Sequence, residues 1–578
     1  MDAGKILING IFNGSQLLEV PFYQRAYVWK DEQWDRFLDD MEFITRTRKP
    51  YFMGSIILKN GQTPATWEQF SSRKIVIDGQ QRLTTLMIFM KVLCLRNNEG
   101  SLFDRDFRLE DGSISLRHGK YDASAFERVM KQDKPEPIGD SSSSQIIAAY
   151  NYFLKELSSD KLDRLTIKQN VQFVCIDLVE GEDEQQVFDT INSLGVRLTT
   201  AELLKNYFFH RDNEEEFERC WVDVFEQNEE VRAYWDQELE VGRMKRSMID
   251  IFFDAFFQMF IQNRNYQIRT EDRLAFARTD RLSKSYQEFI NTYCDGDKQV
   301  VLSQMSDYAR CFYQTFRPEL CKQAIPAEPG VERLNIVIFG LKNTTFIPYV
   351  LYVSKNCQDP IVRNQIFGIL EAYSMRRMIV RAQNKNYNKL MESLITAEVL
   401  DANQLIAYLS KYEDATGYIP GDNELLDGFL KSRLTNLQTR GILYMLESRI
   451  RPSKSAVVLM GFNNYSLEHL MPKNWKSKWL PCENQEQERE RNNKLLTLGN
   501  LAIIPQPLNS SIRDSKWQDK LAGKGSGKNG LKECAAGLYT MFDALEKPEW
   551  NEAEIERRAH WLFEQARKTW AIASMATA

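Results

Sequence analysis

A run of β-branched residues at 75–77, Ile-Val-Ile, leads through an Asp-Gly turn into a segment with helical periodicity. Apolar residues recur in that segment at the spacing of a buried helix face, at Leu83, Leu86, Met87, Met90 and Leu93. The chain must therefore place a strand, a tight turn and a helix in direct succession. Free amides and the positive end of the helix dipole favour an anion at such a turn.

The turn and the first helical turn supply the side chains that would hold this anion, and these are Asp78, Gly79, Gln80, Gln81 and Arg82. The guanidinium of Arg82 is a forked donor that suits phosphate. We predict that these residues bind a phosphate group. The alternative is an ordinary strand-turn-helix corner without a ligand.

The overall charge argues against a chain that attracts nucleic acid as a whole. With 75 basic and 80 acidic residues the net charge is −5, so a nucleic-acid surface has to be a local patch.

The nine cysteines form no Cys-x-x-Cys pair, which argues against a zinc ribbon and a secreted disulfide framework. The most membrane-like run, at 346–353, is short and contains Pro348, and the N-terminus lacks a signal-like segment. We therefore expect a cytoplasmic protein without membrane contact.

Three regions differ in their patterns, as expected for a chain of 578 residues. Residues 1–210 alternate short apolar strands with amphipathic helices, which predicts an α/β domain. Strand signals almost vanish over 211–454, which predicts a helical connector. Residues 455–578 return to short apolar runs, prolines and Gly/Asn turns, and end in a helix from Glu552 to Trp570. The predicted fold class is α+β and multidomain.

One of the four histidines follows an acid, in Glu468-His469, and two asparagines follow at Asn500 and Asn509. A neutral imidazole can take a proton from water, and carboxylate and amide oxygens suit a single hard cation such as Mg²⁺. A histidine beside an apolar pair can equally be a structural residue with satisfied hydrogen bonds.

Basic residues cluster around this segment, at Lys473, Lys476, Lys478, Arg513, Lys516, Lys520, Lys524 and Lys528. We predict that Lys473, Lys516 and Lys520 contact DNA phosphates, although such clusters are often only solvated surface. The segment 522–529 imitates a Walker loop, but it lacks the preceding strand, the first glycine and the Ser/Thr after the lysine. We interpret it as a flexible basic loop near DNA.

Aromatic, amide and guanidinium side chains are crowded into residues 20–29, Val-Pro-Phe-Tyr-Gln-Arg-Ala-Tyr-Val-Trp. Such a mixture can stack on a base or line a pocket for a modified backbone while Arg25 holds a phosphate. The alternative places the aromatic rings in the core and Arg25 in a salt bridge. Farther along, Thr199 and Glu202 form a predicted capping box that begins the next helix.

The string at 78–86, Asp-Gly-Gln-Gln-Arg-Leu-Thr-Thr-Leu, resembles the hallmark of the N-terminal domain of GmrSD-type modification-dependent (type IV) restriction enzymes. Its Gly-x-x-Arg core resembles the phosphate-binding segment of the ParB/sulfiredoxin fold. The string at 21–29 and the segment 187–198 resemble two further elements of the same family. The resemblance implies that residues 1–210 form a ParB/sulfiredoxin-like nucleotidase, in which residues 78–82 bind the phosphates of a nucleotide. Asp78 and Arg82 would act in its hydrolysis, with Asp78 orienting water, a metal ion or the turn itself. The resemblance also implies DNA sensing by Tyr23, Gln24 and Arg25, with Arg25 and Asn192 at the nucleotide.

The order acid-His, Asn, Asn resembles the His-Me finger (HNH) motif of the C-terminal nuclease half of GmrSD-type enzymes. The resemblance implies a ββα-metal nuclease domain over 455–578, in which His469 is the general base and Asn500 braces the loop that orients it. Glu468 and Asn509 would be the ligands of Mg²⁺ or Mn²⁺. The family often has Asp at the first position, so Glu468 departs from the pattern by one methylene.

The resulting prediction is a metal-dependent DNA endonuclease, controlled by a nucleoside triphosphate with GTP as the first choice. It would restrict modified double-stranded DNA, bearing for example glucosylated or methylated cytosine or a phosphorothioate, in defence against phage. A homodimer would let two single nuclease sites cut both strands. One alternative is a toxin-like nuclease on RNA or unmodified DNA under nucleotide control. Another is a ParB-like nucleotide-dependent DNA-binding switch with an inactive nuclease site.

Overall fold

The computed structural model divides into two compact units, Met1–Asp223 and Val224–Ala578. The residues that it describes are 2–61, 72–139, 144–178, 199–209, 213–242, 244–412, 416–452, 458–477, 479, 481–505, 515–523 and 529–572. Both helices and strands occur in each unit, which confirms the α+β class. The division into three domains at 210 and 454 stays a prediction.

The first unit holds a six-stranded sheet. Its strands are β1 (Asp2–Leu7), β2 (Gln16–Glu19), β3 (Tyr51–Asn60), β4 (Ser72–Asp78), β5 (Leu116–Arg117) and β6 (Val171–Leu178). Its α-helices are Ile8–Ile11, Asp31–Thr47, Gln80–Arg96, Gly100–Phe107, Lys120–Met130, Gln145–Glu156, Arg164–Asn170, Thr200–Phe208 and Glu214–Phe217, followed by a π-helical turn at Glu218–Val222. The helix Asp223–Phe225 begins at the last residue of this unit.

The strand order in this sheet is β1-β6-β3-β4-β2-β5. Strands β6 and β3 are parallel, as are β4, β2 and β5, while β1 with β6 and β3 with β4 are antiparallel. The helix Gln80–Arg96 is buried along nearly its whole length. Phe89 at its centre packs against Phe37 and Phe153, with ring centroids 5.4 and 5.6 Å away. This packing fixes the turn between β4 and the helix.

The second unit is mainly helical. Its described α-helices are Glu229–Asp236, Met248–Phe260, Thr270–Phe276, Leu282–Tyr293, Gln299–Thr315, Val331–Asn335, Ile347–Asn356, Pro360–Ile379, Tyr387–Thr396, Ala402–Leu409, Asp422–Lys431, Asn436–Ile450, Gln485–Lys494, Trp517–Ala522, Leu531–Cys534, Phe542–Leu545 and Glu552–Thr569. Two antiparallel strand pairs accompany them, β7 (Glu238–Val241) with β8 (Met244–Ser247) and β9 (Tyr465–His469) with β10 (Leu501–Pro505).

Several predicted elements are confirmed. The predicted strand at 75–77 lies within β4. The capping box at Thr199 forms, because the Glu202 amide donates to Thr199 Oγ1 at 3.2 Å and the Thr199 amide donates to Glu202 Oε2 at 2.8 Å. The last helix begins at Glu552, and Asn551 caps it by accepting from the Glu554 amide at 3.1 Å.

The hairpin β7–β8 differs from the helical pattern expected for residues 211–454. Its strands have four residues each, too few for a strand signal to stand out in the sequence. Gly242 lies between them with a φ of 64°, the left-handed conformation that a tight turn requires.

None of the helices that the structure describes is long and apolar enough to cross a membrane. All nine cysteines are free thiols.

Candidate functional site

Gly79 makes the turn between β4 and the helix Gln80–Arg96. Its φ of 102° favours glycine, and a Cβ at this position would lie 2.6 Å from Ile56 Cγ2. Gly79 also provides no side-chain cap for the helix. The structure thus has the predicted strand-turn-helix geometry, with a helix N-terminus that depends on other groups to satisfy its amides.

Arg82 reaches back across this turn. Its Nη2 donates to Asp78 Oδ2 at 2.9 Å and to the carbonyl oxygen of Ser55 at 2.7 Å. Gly54 makes room for the guanidinium, since a Cβ there would lie 3.1 Å from Nη1. The Asp78 and Arg82 side chains are 23% and 26% exposed, so the pair is accessible to a ligand. The Nε of Arg82 is buried without a hydrogen-bond partner among the described residues.

Gln24 binds the end of β4 from the side of the aromatic segment 20–29. Its Nε2 donates to the carbonyl oxygens of Val76 at 2.7 Å and Ile77 at 3.1 Å. These carbonyls immediately precede Asp78 in the chain. The structure therefore brings Gln24 to the predicted phosphate-binding turn, where it ties the loop to the strand.

Tyr23 and Arg25 lie on either side of Gln24 in different surroundings. The Tyr23 ring is buried and meets Phe22 edge to face, with ring centroids 5.3 Å apart. Arg25 is about one-third exposed, and its Nη1 lies 3.4 Å from Glu202 Oε1. This arrangement matches the structural alternative for both residues. The DNA-sensing role of Tyr23, Gln24 and Arg25 stays a prediction.

Two further amides connect the same loop to the first turn of the helix. Gln80 Nε2 donates to the carbonyl of Arg25 at 3.1 Å. Gln81 Nε2 donates to the carbonyl of Ala26 at 3.3 Å, and Gln81 Oε1 accepts from the amide of Val28 at 2.9 Å. A displacement of the loop would therefore pull directly on the start of the helix. We call these contacts, together with those of Gln24, the glutamine latch.

A buried polar network next to the latch is not predicted by the sequence. His118 Nε2 lies 3.1 Å from Thr84 Oγ1, and that hydroxyl donates to the carbonyl of Gln80 at 2.7 Å. Asp122 Oδ2 accepts from the Tyr27 amide at 2.7 Å and lies 3.9 Å from His118 Nδ1. Burial lowers the pKa of His118 to about 3 and raises the pKa of Asp122 to about 6. No motif marks these residues, because only the fold brings them together.

The second constellation lies on the pair β9–β10. His469 is the last residue of β9 and pairs with Leu501, the first residue of β10. Ladder pairing with β10 fixes the backbone of His469 on one side. His469 as a whole is partly buried.

Asn500 precedes β10 and is fully buried. Its Oδ1 accepts from the Met471 amide at 2.8 Å and from Trp550 Nε1 at 3.0 Å. Its Nδ2 donates to the carbonyls of Met471 at 2.9 Å and Leu495 at 3.0 Å. The side-chain amide of Asn500 thus both accepts from the N–H and donates to the carbonyl of Met471, two residues after His469.

Glu468 and Lys520 form a buried ion pair beside His469. Lys520 Nζ contacts Glu468 Oε1 and donates to the carbonyl of His469 at 2.6 Å. The side chains of Glu468 and Lys520 are 6% and 0% exposed. The structure therefore places Lys520 inside the site and not on an exposed surface, where a direct contact with DNA phosphate was predicted.

Arg558 supports the turn that carries Asn500. Its Nη1 donates to the carbonyls of Gly499 and Leu501, both at 2.8 Å, and its Nη2 donates to that of Thr540 at 3.1 Å. Complete burial lowers the pKa of this guanidinium to about 10. The sequence shows Arg558 only as a polar interruption in an apolar helix stripe, so its role could not be found there.

The other predicted site residues fall into two groups. Lys473 and Lys516 are exposed, as a contact with DNA phosphates requires. Lys476 is also exposed and lies 2.5 Å from Glu488. The remaining candidates lie outside the described residues, and these are Asn192, Lys478, Asn509, Arg513, Lys524 and Lys528.

Comparison with protein families gives two matches. Residues 7–209 match the family model described as GmrSD restriction endonuclease, N-terminal domain. Residues 419–565 match the model described as GmrSD restriction endonucleases, C-terminal domain. The first match contains the turn at Gly79 and the glutamine latch, and the second contains Glu468, His469 and Asn500. No curated protein matches the chain.

Proposed function

Because the chain belongs to the GmrSD-like type IV restriction endonucleases, we propose that it cuts DNA under the control of a nucleoside triphosphate and of the DNA's modification state. DNA is its substrate in restriction. The proposal adds a metal-dependent HNH-type site in the C-terminal region and a nucleotidase site in the N-terminal region. Defence against phage that carry modified DNA follows from this combination.

The observation that carries the nuclease site is the antiparallel pair β9–β10 with His469 at its end and Asn500 behind it. In the proposed reaction His469 takes a proton from the attacking water. The bonds from Asn500 to both backbone groups of Met471 hold the main chain that follows His469. The helix Trp517–Ala522 then gives the order of strand, strand and helix expected for a ββα-metal site.

The donor types at this site suit Mg²⁺ or Mn²⁺. Among the described residues no group of three or more His, Cys, Asp and Glu side chains is arranged around a metal position. A site of one carboxylate, from Glu468, and one amide, from Asn509, would use oxygen donors that hard cations prefer. A divalent ion bound there would stabilise the negative charge that develops on the phosphate.

The nucleotide site is supported by the geometry around Gly79. Three features support an anion site there, as proposed for a ParB-like domain: the N-terminus of the helix Gln80–Arg96, the accessible pair of Asp78 and Arg82, and the buried Arg82 Nε. GTP is the first nucleotide to test. The glutamine latch gives a direct path from the segment 20–29 to this helix, and binding of modified DNA there could be coupled to nucleotide hydrolysis.

The experiment is plasmid cleavage with Mg²⁺ or Mn²⁺ on plain, glucosylated, methylated and phosphorothioated DNA, each with and without GTP, CTP, UTP and ATP. We expect cleavage that requires the metal, prefers one modified DNA and changes with one nucleotide. Cleavage of RNA, or of every DNA alike, would instead support a toxin-like nuclease.

Asp78→Ala and Arg82→Ala test the nucleotide site separately. We expect each variant to lose nucleotide affinity in calorimetry while the nuclease site is unchanged, because Arg82 is proposed to hold a phosphate. A lower melting temperature together with normal nucleotide affinity would mean that the turn is only a structural corner.

A further inference from the structure

The carboxylate proposed to bind a divalent metal already has a cation in contact with it. Lys520 Nζ contacts Glu468 Oε1, and both side chains are almost completely buried. A carboxylate in such surroundings requires a positive partner, since burial without one is costly. Lys520 therefore fills for Glu468 the electrostatic role that a metal ion would also fill.

The ammonium is held in place by a second contact. Lys520 Nζ donates to the carbonyl of His469 at 2.6 Å, so it bridges the side chain of Glu468 and the main chain of the next residue. Lys516 lies one helical turn earlier and is exposed. Lys516 is the N-cap residue of the helix Trp517–Ala522, and only Lys520 is directed into the site.

A divalent ion that binds Glu468 must meet this ammonium. Two positive charges a few ångströms apart repel each other strongly where water is excluded. The ion therefore either displaces Lys520 from Glu468 or binds against its charge, and in both cases its affinity is reduced.

We propose that Lys520 is a resident cation that competes with the divalent metal for Glu468 and so raises the metal concentration at which the nuclease site is loaded. This inference rests on the proposed function, in which Glu468 is a metal ligand. Metal loading would then be coupled to movement of Lys520 away from the carboxylate and from the carbonyl of His469.

The test is direct binding of Mn²⁺ to the full chain, measured from the free-ion signal in electron paramagnetic resonance. Lys520→Gln removes the charge and keeps a hydrogen-bond donor, and Lys516→Gln is the matched control on the exposed surface. We expect Lys520→Gln to bind Mn²⁺ about tenfold more tightly than the wild type, or tighter still. Lys516→Gln should bind like the wild type, and Glu468→Gln should lose most of the affinity.

Equal or weaker Mn²⁺ binding by a folded Lys520→Gln protein would overturn the inference while leaving the metal site intact. If Glu468→Gln binds Mn²⁺ like the wild type, the ion is not at Glu468, and the inference is also wrong. Absence of Mn²⁺ binding from wild type and variants alike would instead reject the metal dependence in the proposed function. Should Lys520→Gln not fold, Lys520→Met removes the same charge with an apolar chain of similar length.

Discussion

At the scale of single residues, His469 carries the proposed chemistry. It ends a strand whose partner and following loop are both fixed, by the pairing with Leu501 and by the amide of Asn500. These contacts involve the backbone around His469 and not its imidazole, so they remain when the imidazole is removed. Substitution of His469 therefore tests the chemistry with the surrounding backbone contacts in place.

We predict that His469→Ala lowers DNA cleavage by about 10²- to 10⁴-fold, because the general base is lost. Nucleotide turnover should persist. Plasmid nicking under single-turnover conditions measures the first quantity and phosphate release the second. His560→Ala, at an exposed histidine of the last helix, is the matched control and should cleave normally. Wild-type nicking by His469→Ala would show that the nuclease assignment is wrong.

His118 gives a pH prediction at the same scale. Its pKa of about 3 lies below the ordinary histidine value of about 6.5, because burial disfavours the charged form. The unfolded chain therefore takes up a proton below about pH 6.5 that the folded chain does not, and stability is lost as the pH falls. For this group alone the loss between pH 7 and pH 5 is about 2 kcal/mol.

Asp122 changes the stability in the opposite direction. Its pKa is raised to about 6, so the folded chain gains a proton at Asp122 between pH 7 and pH 5, and the contribution of Asp122 to stability rises as the pH falls. We therefore expect His118→Gln, which keeps Asp122, to lose about 2 kcal/mol less than the wild type between pH 7 and pH 5. Urea unfolding at the two pH values measures the difference. Identical losses for both proteins would mean that His118 is accessible to protons in the folded state.

At the scale of elements, the turn between β4 and its helix is a constrained connection of the first unit. Gly79 combines a φ of 102° with a close approach to Ile56. We predict that Gly79→Ala lowers the free energy of unfolding by about 1–3 kcal/mol, because of backbone strain and the clash. Gly100→Ala is the control, since a Cβ there meets nothing within 4 Å. Thermal melting of both variants is the measurement, and equal melting temperatures would contradict the prediction.

The glutamine latch gives the second prediction for elements. Gln24→Ala removes the bonds to the carbonyls of Val76 and Ile77, and Tyr23→Ala empties the space that its ring fills. We expect both variants to lose the preference for modified over plain DNA and the stimulation of nucleotide hydrolysis, while basal metal-dependent nicking remains. Arg25→Ala should instead weaken binding of both DNAs or of the nucleotide, because its contact is electrostatic.

Competition binding with modified and plain duplexes measures this preference, and phosphate release measures the stimulation. Full discrimination by both Tyr23→Ala and Gln24→Ala would place the sensor elsewhere. The helical region 211–454 would then be the next place to search.

At the scale of the molecule, the second unit joins the nuclease strands to the helices that precede them. Trp570 Nε1 donates to Glu371 Oε1 at 3.0 Å, next to the bidentate pair of Glu371 with Arg333 at 2.6 and 2.8 Å. Glu447 is fully buried and accepts from the amides of Tyr539 at 2.9 Å and Thr540 at 2.7 Å. Separation of the two segments would leave the indole of Trp570 and the amides of Tyr539 and Thr540 without these acceptors.

We therefore predict that residues 455–578 do not fold alone, whereas residues 224–578 do. Loss of Glu371 and Glu447 from the shorter fragment removes the acceptors of the C-terminal indole and of two buried amides, at a cost of about 1–3 kcal/mol for each. Circular dichroism with thermal melting of the two fragments is the measurement. A cooperative melting transition in the fragment 455–578 would show that the nuclease region is an independent domain.

The sequence by itself determined the local elements of this protein. Residues 75–86 predict their strand, turn and helix because β-branching, an Asp-Gly pair and apolar spacing act within a few residues. The capping box at Thr199 and the helix after Asn551 follow for the same reason. Glu468, His469 and Asn500 could be selected from their order in the chain.

Only the tertiary structure decided how these residues are partnered. The sequence predicts that Lys520 is a surface cation, whereas the fold buries it against Glu468. Arg558 and His118 carry no motif, because their partners are backbone carbonyls and side chains far away in the chain. The electrostatic environment of a side chain depends on which neighbouring groups the packing removes from water. Those neighbours come from distant parts of the chain, so only the folded structure defines them.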